Sequence, residues 1–522
     1  MADLKIKVGL LAGVAALFAS SAFGQATLGT PTVVTGFLRA EGKTEKLPTT
    51  QVNVTGAVAG TVDITVYVQP QLTITSKTYS SSNTSEVYAT PNGCVGACAS
   101  VSGTVTGSTV SFTGIPTTAT TTQILIDNIR VDATALAVAS GVPTAVSEQV
   151  FLQGASANPL LSQPFTVAYA LNGLSAATLT GTPVVSNTVC SDVTPGAPQF
   201  QVNLIEGFAK AFKTVGEESG TNISAGANSG TRFAITLNNV PANVKVYASL
   251  GVTAAAPGIG KLTMISSATA DTAAGNNVTA ATVTGGPSVV AEPDGVGAVT
   301  ISSGTGTVYY ELTVGAANGT IESYPVKFYF SSSKGAVAAQ TAAITATTSF
   351  APIGAAANKV PNFVNGSSTT TLTGPTYGPC ATYLLFPYVT NAAGFETGIA
   401  ISNTSLDNFG SKGASSAATQ SGTCTLNFYG SSTASSNPAA ATTASIAGGT
   451  VSPFTLTSVA GANFTGYMIA NCGFQYAHGF AYIVYNFGTS SGAAMGYVAS
   501  PFNTTGTSPR TLVTNGAEVL GN

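Results

Sequence analysis

The sequence contains one histidine, His478, which is therefore the only imidazole available for acid–base chemistry near neutral pH. It lies within the aromatic segment Tyr476–Phe480, where a structural histidine is expected more often than a catalytic one. The segment Gly488–Gly492 matches the Gly-x-Ser-x-Gly pattern of a nucleophile elbow. No helical pattern follows it, and His478 precedes Ser490, which reverses the order of that fold. We interpret this motif as a turn.

Paired carboxylates can hydrolyse glycosidic bonds without a histidine, so the acidic residues of the middle of the chain were considered. The candidates are Glu206, Glu217, Glu218, Glu292, Asp294, Glu311 and Glu322. Glu217, Glu218, Glu292 and Asp294 stand beside glycines in predicted turns, where solvated surface carboxylates are usual. The sequence therefore does not predict a glycosidase, and we expect the chain not to be an enzyme.

The sequence also predicts no cofactor or metal site. Gly258–Lys261 lacks the spacing of a phosphate-binding loop, and Leu262 stands where that loop has Ser or Thr. No Asp-rich loop has the spacing of an EF-hand; the scattered Asp127, Asp132 and Asp407 could reach a calcium ion only through the fold.

Six cysteines in a chain expected to be secreted are better explained by disulfides than by zinc, because His478 is the only partner ligand. Cys94 and Cys98 are predicted to staple one turn. Cys424 and Cys472 lie on segments predicted to be neighbouring strands and are expected to pair. Cys190 and Cys380 could bridge two domains, but six cysteines allow fifteen pairings and the sequence does not choose among them.

Aromatic residues are concentrated in the last third of the chain, which holds close to half of the 42 Phe and Tyr residues and few charges. Such strands form either a tightly packed sandwich or an interaction surface. If the surface binds a ligand, we expect Tyr476 and Tyr482 to offer a platform for sugar rings. The absence of Trp weakens this hypothesis, because Trp provides the largest stacking surface.

Charge is scarce along the whole chain. Only 7% of the 522 residues are charged, and the formal net charge is -3. No basic stripe is available to follow phosphates, so nucleic-acid binding is not expected. Disorder is disfavoured because 44% of the residues are hydrophobic.

The N-terminus has the three-part order of a secretory signal peptide, with Lys5 and Lys7 before the apolar run Val8–Phe18 and small residues after it. We predict a signal peptide at residues 1–24. The apolar run is too short to span a bilayer, so the mature chain is expected to have no transmembrane segment and to be secreted, extracellular or at a bacterial cell surface.

Alternating hydrophobic residues predict many half-buried strands, for example over Val62–Val68, Val308–Val314 and Val326–Phe330. The only helix-like pattern is Phe208–Val215. The predicted fold class is all-β, with two or three consecutive β-sandwich (immunoglobulin-like) domains after the signal peptide. The predicted units are residues 25–195, 200–349, a linker at 350–375, and an aromatic-rich sandwich at 376–522.

Three segments, Leu384–Asn391, Gly394–Thr404 and Phe474–Phe480, resemble a C-terminal region of uncharacterised β-rich proteins secreted by soil bacteria. The resemblance implies a bacterial extracellular β-rich protein and no catalytic residue.

Two functions remain open from the sequence. The first is a non-catalytic structural or interaction protein of the cell surface or matrix that self-associates through strand edges, since few lysines protect such edges. The alternative is a carbohydrate-binding or adhesive module that uses the C-terminal Tyr and Phe surface. The expected partners are accordingly a second copy of the chain or a surface polysaccharide. A membrane barrel is disfavoured by the irregular strands and the long Ser/Thr/Ala tracts.

Overall fold

The computed structural model describes residues 26–55, 60–78, 84–92, 99–118, 121–138, 142–154, 157–175, 187–189, 192–220, 226–269, 292–315, 319–334, 336–340, 342–352, 359–364, 370–406, 419–430, 437–486 and 492–502. Regular structure in these ranges is nearly all β-strand, with short α-helices α1 (Val215–Glu218) and α2 (Leu456–Ala460). The all-β prediction is confirmed. The predicted signal peptide lies outside the described residues. Within the described ranges, no helix has the length and hydropathy needed to cross a bilayer.

The first unit is one curled sheet around one core. Its strands are β1 (Thr27–Leu28), β2 (Thr32–Val33), β3 (Gly36–Arg39), β4 (Glu45–Lys46), β5 (Thr50–Thr55), β6 (Gly60–Gln69), β7 (Thr84–Asn92), β8 (Val101–Thr106), β9 (Thr109–Thr117), β10 (Thr121–Asp127), β11 (Arg130–Val131), β12 (Thr144–Gly154), β13 (Ala157–Leu161) and β14 (Phe165–Leu171). Twelve of them form a sheet in the order β1-β5-β10-β7-β8-β9-β6-β12-β14-β3, with β2 beside β5 and β13 beside β12. β1 contacts β13, so the sheet folds back and its inner face encloses the core.

The pattern of β6 shows why this sheet buries one face. Val62, Ile64, Val66 and Val68 are all buried in the core of the first unit, as their alternation predicts. The intervening side chains lie on the outer face, where Tyr67 is 37% exposed.

The second unit is a two-sheet sandwich. Its strands are β15 (Asn187–Thr188), β16 (Phe200–Ile205), β17 (Arg232–Asn238), β18 (Lys245–Ser249), β19 (Gly251–Thr253), β20 (Lys261–Ile265), β21 (Val296–Val299), β22 (Gly306–Val314), β23 (Ser323–Ser331), β24 (Thr345–Ala351), β25 (Thr370–Thr373) and β26 (Tyr377–Gly378). One sheet has the order β16-β23-β18-β21 and the other β19-β20-β22-β17-β24-β25, and their inner faces share one core.

The boundaries of the second unit differ from those predicted. Leu174 already belongs to its core, so the first unit ends at β14 rather than near residue 195. The predicted linker, residues 350–375, is also part of the sandwich, because β25 pairs with β24 and Phe363 is fully buried. Its Pro, Ala and Thr content resembles that of a linker, whereas its few aromatic residues supply core contacts.

The helix predicted at Phe208–Val215 is wrong. Phe208 and Phe212 are buried in the core of the second unit from irregular chain, and the helix α1 begins only at Val215. Thr214 caps it through a capping box with Glu217, which explains the start of the helix at this point. The four-residue spacing of the two Phe residues therefore reflects packing and not a helical face.

The third unit is a second two-sheet sandwich. Its strands are β27 (Thr382–Thr390), β28 (Phe395–Asn403), β29 (Ser421–Gly422), β30 (Cys424–Tyr429), β31 (Ala441–Thr442), β32 (Ile446–Ala447), β33 (Thr450–Thr455), β34 (Thr465–Cys472), β35 (Ala477–Tyr485), β36 (Ala494–Val498) and β37 (Ser500–Phe502). The sheets have the orders β31-β30-β34-β27-β37 and β33-β28-β35-β36. The chain crosses from one sheet to the other between β36 and β37.

The first and second units meet across buried charges, which is unusual in a chain so poor in charge. Arg39 on β3 is fully buried, and its guanidinium contacts Glu45 of the first unit at 2.6 Å and Glu218 of the second at 2.7 Å. It also donates to Thr231 Oγ1 at 2.8 Å. Arg130 pairs with Glu86 at 3.0 Å and donates to the Glu218 carbonyl at 2.8 Å. We call Arg39, Glu45, Glu86, Arg130 and Glu218 the interunit ion cluster.

Backbone contacts extend this boundary. Lys43 N donates to Asn362 O at 2.8 Å, and Val364 N donates to Glu41 O at 3.0 Å. The short helix α1, through Glu218, is therefore held between two arginines of the first unit while the 359–364 segment pairs with the chain beside β4. These contacts join the first two units through both side chains and backbone.

Candidate functional site

Of His478 and Ser490, only His478 lies among the described residues. His478 lies on β35, half-buried, and its carbonyl accepts a 3.3 Å hydrogen bond from the Ser402 hydroxyl. Residues 487–491, which include Ser490, lie outside the described residues. The turn interpretation of that motif therefore stays a prediction.

Glu206 and Glu322 are neighbouring candidate carboxylates, and both accept hydrogen bonds from backbone N–H groups. Glu206 Oε1 accepts from Phe212 N and its Oε2 accepts from Glu322 N, each at 3.0 Å. Glu322 accepts from Ile259 N, from Gly260 N and from the Tyr324 hydroxyl. Burial raises the pKa of Glu206 to about 7, against the opposing effect of its backbone donors, with a smaller contribution from Glu322. Because both side chains are almost fully buried, the pair fixes loops and offers no substrate access.

The other candidate carboxylates are also engaged in structural contacts. Glu217 completes the cap of α1, and Glu218 belongs to the interunit ion cluster. Glu311 pairs with Arg232 at 2.7 Å in a buried position. Glu292 contacts Lys327 at 2.9 Å, and Asp294 contacts Lys261 at 2.8 Å. Lys261 lies on β20, not in a phosphate-binding loop.

Glu148 is a buried acid with an incomplete set of hydrogen-bond partners. Glu148 on β12 is fully buried in the first unit; its Oε2 accepts from the Thr50 hydroxyl at 2.6 Å. Its Oε1 has no hydrogen-bond partner. Burial raises the pKa of Glu148 to about 7, and the hydrogen bond from Thr50 opposes the shift. Because the side chain is fully buried, we assign this carboxyl a role in stability.

No group of three or more potential metal ligands occurs among the described residues. Asp127 accepts from the Thr49 hydroxyl, and Asp132 caps the 3-10 turn Ala133–Ala135. Asp407 lies outside the described ranges.

The predicted Cys424–Cys472 disulfide is present. The two residues face each other on the paired strands β30 and β34, with 3.9 Å between their Cα atoms. Cys380 is also disulfide-bonded. Cys94, Cys98 and Cys190 lie outside the described residues, so the pairing of Cys94 with Cys98 stays a prediction.

The third unit has a groove on its outer face that is a candidate binding surface. β28 lies between β35 and β33, and the middle of its outer face carries Gly398 and Ala400, with Glu396 before them and Ser402 after them. Tyr482 and Thr455 flank Gly398, whereas Phe480 and Pro453 flank Ala400. Small side chains on the central strand and larger ones on both neighbours leave a trough of about 400 Å³. We call it the aromatic groove, lined by Gly398, Ile399, Ala400, Pro453, Phe454, Thr455, Phe480 and Tyr482.

Two aromatic side chains form one wall of the aromatic groove and are accessible. Phe480 is 45% exposed and Tyr482 is 43% exposed, although both lie in the middle of a strand. A Cβ placed on Gly398 would lie 4.0 Å from Cδ1 of Tyr482, so the ring borders the glycine without crowding it. None of the lining residues carries a charge at neutral pH.

The structure places only one of the two predicted platform residues in this groove. Tyr482 is a lining residue, but Tyr476 precedes β35 in a turn with a φ of 60°, and its carbonyl accepts from Thr404. At about 3.3 Å per residue, the six positions between them correspond to roughly 20 Å, so they do not form a common platform. β35 begins at Ala477, so Tyr476 is not part of the strand that carries Tyr482.

Phe480, Pro453 and the small floor residues were missed by sequence reasoning. The alternation of Phe480 with Tyr482 along β35 was a usable signal for the first of them. The pairing of β28 with β33 carries no local signal, because these strands are about 50 residues apart.

No protein-family model matches the sequence, and no curated protein does. Among solved structures, the FN1–FN3 domains of chicken CNTN1 align at 9% identity over 89% of this chain and 99% of that one, with a TM-score of 0.12. The CupB6 tip adhesin from Pseudomonas aeruginosa aligns at 10% identity over 67% of this chain and 98% of that one, with a TM-score of 0.13. At these scores the likenesses carry no argument about function, which we base on the surface itself.

Proposed function

We propose that this chain is a non-catalytic interaction protein of the bacterial cell exterior, and that the aromatic groove binds a neutral polysaccharide. The observation that carries the proposal is the groove itself, in which two exposed aromatic rings stand beside a floor of Gly398 and Ala400. The C–H faces of a sugar ring pack well against aromatic rings, and a small-residue floor lets the sugar approach them closely. The predicted signal peptide and the Cys424–Cys472 disulfide support an extracellular location.

The charge of the groove selects among polysaccharides. No lining residue is ionised at neutral pH, so an acidic polymer would lose solvation there without gaining a cationic partner. The Tyr482 hydroxyl and the Thr455 hydroxyl are polar groups at the same row of the sheet and can bond sugar hydroxyls. A neutral hexose or N-acetylhexosamine polymer therefore fits better than a uronic-acid polymer.

The test is a pull-down of the mature chain with insoluble cellulose, chitin and a neutral β-glucan, with polygalacturonate as the acidic comparison. Tyr482→Ala and Gly398→Val are the informative variants, since valine fills the groove floor while suiting a strand. Tyr429→Ala is the matched control, because Tyr429 is 38% exposed on the other sheet of the same unit, stacked on Tyr467.

We expect both groove variants to reduce binding at least tenfold with unchanged circular dichroism, and the control to bind like the wild type. Binding that is retained in Gly398→Val would contradict the groove assignment. Binding only to polygalacturonate would contradict the choice of a neutral ligand.

A second candidate function, self-association, is favoured by strand β36. Among the described strands β36 pairs only with β35, and its Met495 and Val498 are 69% and 52% exposed. The strand contains no charged residue and no proline, which are the usual protections of an exposed edge. Sedimentation across a concentration series should then show dimers or filaments that Met495→Lys removes. A wild type that stays monomeric at every concentration would exclude this function.

A further inference from the structure

The first unit carries a second cleft, whereas the aromatic groove lies in the third unit. It has a volume of about 600 Å³ and lies on the outer face of β6 and β12, bordered by Leu161 of β13 and by the turn at Ser108. We call it the glutamine cleft, lined by Tyr67, Val68, Gln69, Pro70, Gln71, Ser108, Gln149, Phe151 and Leu161. This volume falls within the usual range for small-ligand sites, about 300–1,000 Å³.

Its polar groups come mainly from amides that are partly fixed in position. Gln149 Nε2 donates to the Ser162 carbonyl at 2.9 Å, and Gln149 Oε1 accepts from Gln69 Nε2 at 3.3 Å. An amide has two donor hydrogens and two acceptor lone pairs, so Gln149 keeps one of each for a ligand. The Gln71 amide makes no side-chain hydrogen bond to the described residues.

Its apolar groups lie on the same face. Tyr67 is directly opposite Gln149, and Phe151 is two residues further along β12, opposite Thr65. Diagonal neighbours of this kind are about 7–8 Å apart, which is within reach of aromatic side chains. Leu161 faces Phe151 from β13 and is 54% exposed.

We infer that the glutamine cleft is a binding site for a short segment of a neutral oligosaccharide. A sugar hydroxyl both donates and accepts hydrogen bonds, and a fixed amide offers both to adjacent hydroxyls. The aromatic and aliphatic side chains receive the C–H face of the ring. No lining residue is charged at neutral pH, which disfavours anionic and cationic ligands alike.

Two sites on separate units have a consequence for binding to a polymer. The choice of neutral sugars rests on the proposed function of the aromatic groove, but the glutamine cleft stands on its own residues. When both sites engage one polymer, the second contact becomes intramolecular, and the apparent affinity exceeds that of either site. We expect a short oligosaccharide to fill the two sites separately.

The experiment is isothermal titration of the whole mature chain with cello-, chito- and β-glucan hexasaccharides, followed by pull-down with the corresponding polymers. The cleft variant is Tyr67→Ala with Gln149→Ala. Its matched control is Gln51→Ala, a half-buried glutamine on the same sheet that donates to Asn53 at 3.2 Å outside the cleft. The groove variant Gly398→Val is measured in parallel.

We expect two hexasaccharides per chain in the wild type and in Gln51→Ala, and one in the cleft variant and in Gly398→Val. Polymer binding should fall at least tenfold in the cleft variant. A single site that Gly398→Val removes and the cleft variant retains would overturn this inference and leave the proposed function intact. A single site that only the cleft variant removes would support this inference and contradict the proposed function of the aromatic groove. No heat with any sugar would overturn both, provided that thermal unfolding shows the variants folded.

Discussion

Removal of Arg39 should separate the first two units, because this side chain serves both of them. Its guanidinium is fully buried and lies between Glu45 and Glu218, 4.9 Å above the ring of Phe363. In Arg39→Met the packing volume is largely kept, but two buried carboxylates lose the cation that contacts both of them, and only the more distant Lys213, 3.8 Å from Glu45, remains. Breaking a buried ion pair on one side costs about 3–5 kcal/mol. For a unit of about 200 residues this is a fall of roughly 6–20 °C in Tm.

The variant that tests the cause is the triple change Arg39→Met, Glu45→Gln and Glu218→Gln. Neutral amides need no cation when buried, so most of the loss should be recovered even though the ion pairs of Arg39 are gone; the Arg130–Glu86 pair is left intact. Differential scanning calorimetry of the whole chain measures both variants. Limited proteolysis between the first two units gives a second readout.

The contribution of Glu218 to the stability of the folded state also depends on pH. Burial alone raises the pKa of Glu218, but the charges of Arg39 and Lys213 outweigh it and hold the pKa below its ordinary value of 4.5. The folded state therefore binds this proton less readily than the unfolded state does. The stabilisation is complete above pH 4.5 and is lost as the pH falls through the folded pKa. A Tm of Arg39→Met within about 2 °C of the wild type at pH 7, or a triple variant no better than the single one, would refute the account.

Three further predictions concern the separate units. Because the pKa of Glu148 rises from 4.5 to about 7 on folding, the stability of the first unit should decrease as the pH rises from 4.5 to 7. Glu148→Gln should remove that decrease when Tm is compared at pH 5 and pH 8. A Tm that changes with pH as much in the variant as in the wild type would argue against this prediction. Replacing Cys424 and Cys472 by Ser opens a loop with a sequence separation of 48 and should cost roughly 4 kcal/mol in the third unit; a chemical denaturation midpoint that does not move contradicts this. Gly479→Ala would place a Cβ 2.5 Å from a core aromatic ring and should lower stability by about 1–3 kcal/mol, whereas Gly398→Ala meets only ordinary contacts and should be neutral; equal Tm values for the two would count against the core geometry.

The parts of the fold that local pattern determines were predictable. Alternation along β6, β22 and β23 correctly indicated buried faces, as Val66, Tyr310 and Phe328 show. The exception is Val314, which is 46% exposed because β22 ends there. The boundaries failed for a related reason: Phe363 and β25 enter the second core from chain whose composition is that of a linker.

The interunit ion cluster could not be predicted, since nothing local distinguishes a solvated Glu from a buried one. Glu218 stands beside glycine-rich sequence and was expected to be a surface carboxylate. Its partner Arg39 is 179 residues away in the sequence. Only the docking of the first unit against α1 makes this carboxylate structural, and it does so by supplying the cation that burial requires.

The difference between local sequence signals and contacts made by distant residues also applies to the two candidate sugar sites. A platform residue is recognised locally as an exposed aromatic in a strand, and Tyr482 was identified in this way. The shape that makes a platform into a site comes from the partners across the strands: Gly398 gives the aromatic groove its depth, and Gln149 gives the glutamine cleft its fixed amide. Neither residue attracts attention in a sequence with 58 glycines and many polar strands. If binding depends on these positions rather than on the aromatic residues alone, Gly398→Val should weaken binding as much as Tyr482→Ala does, because a filled floor keeps the sugar from the rings that it needs.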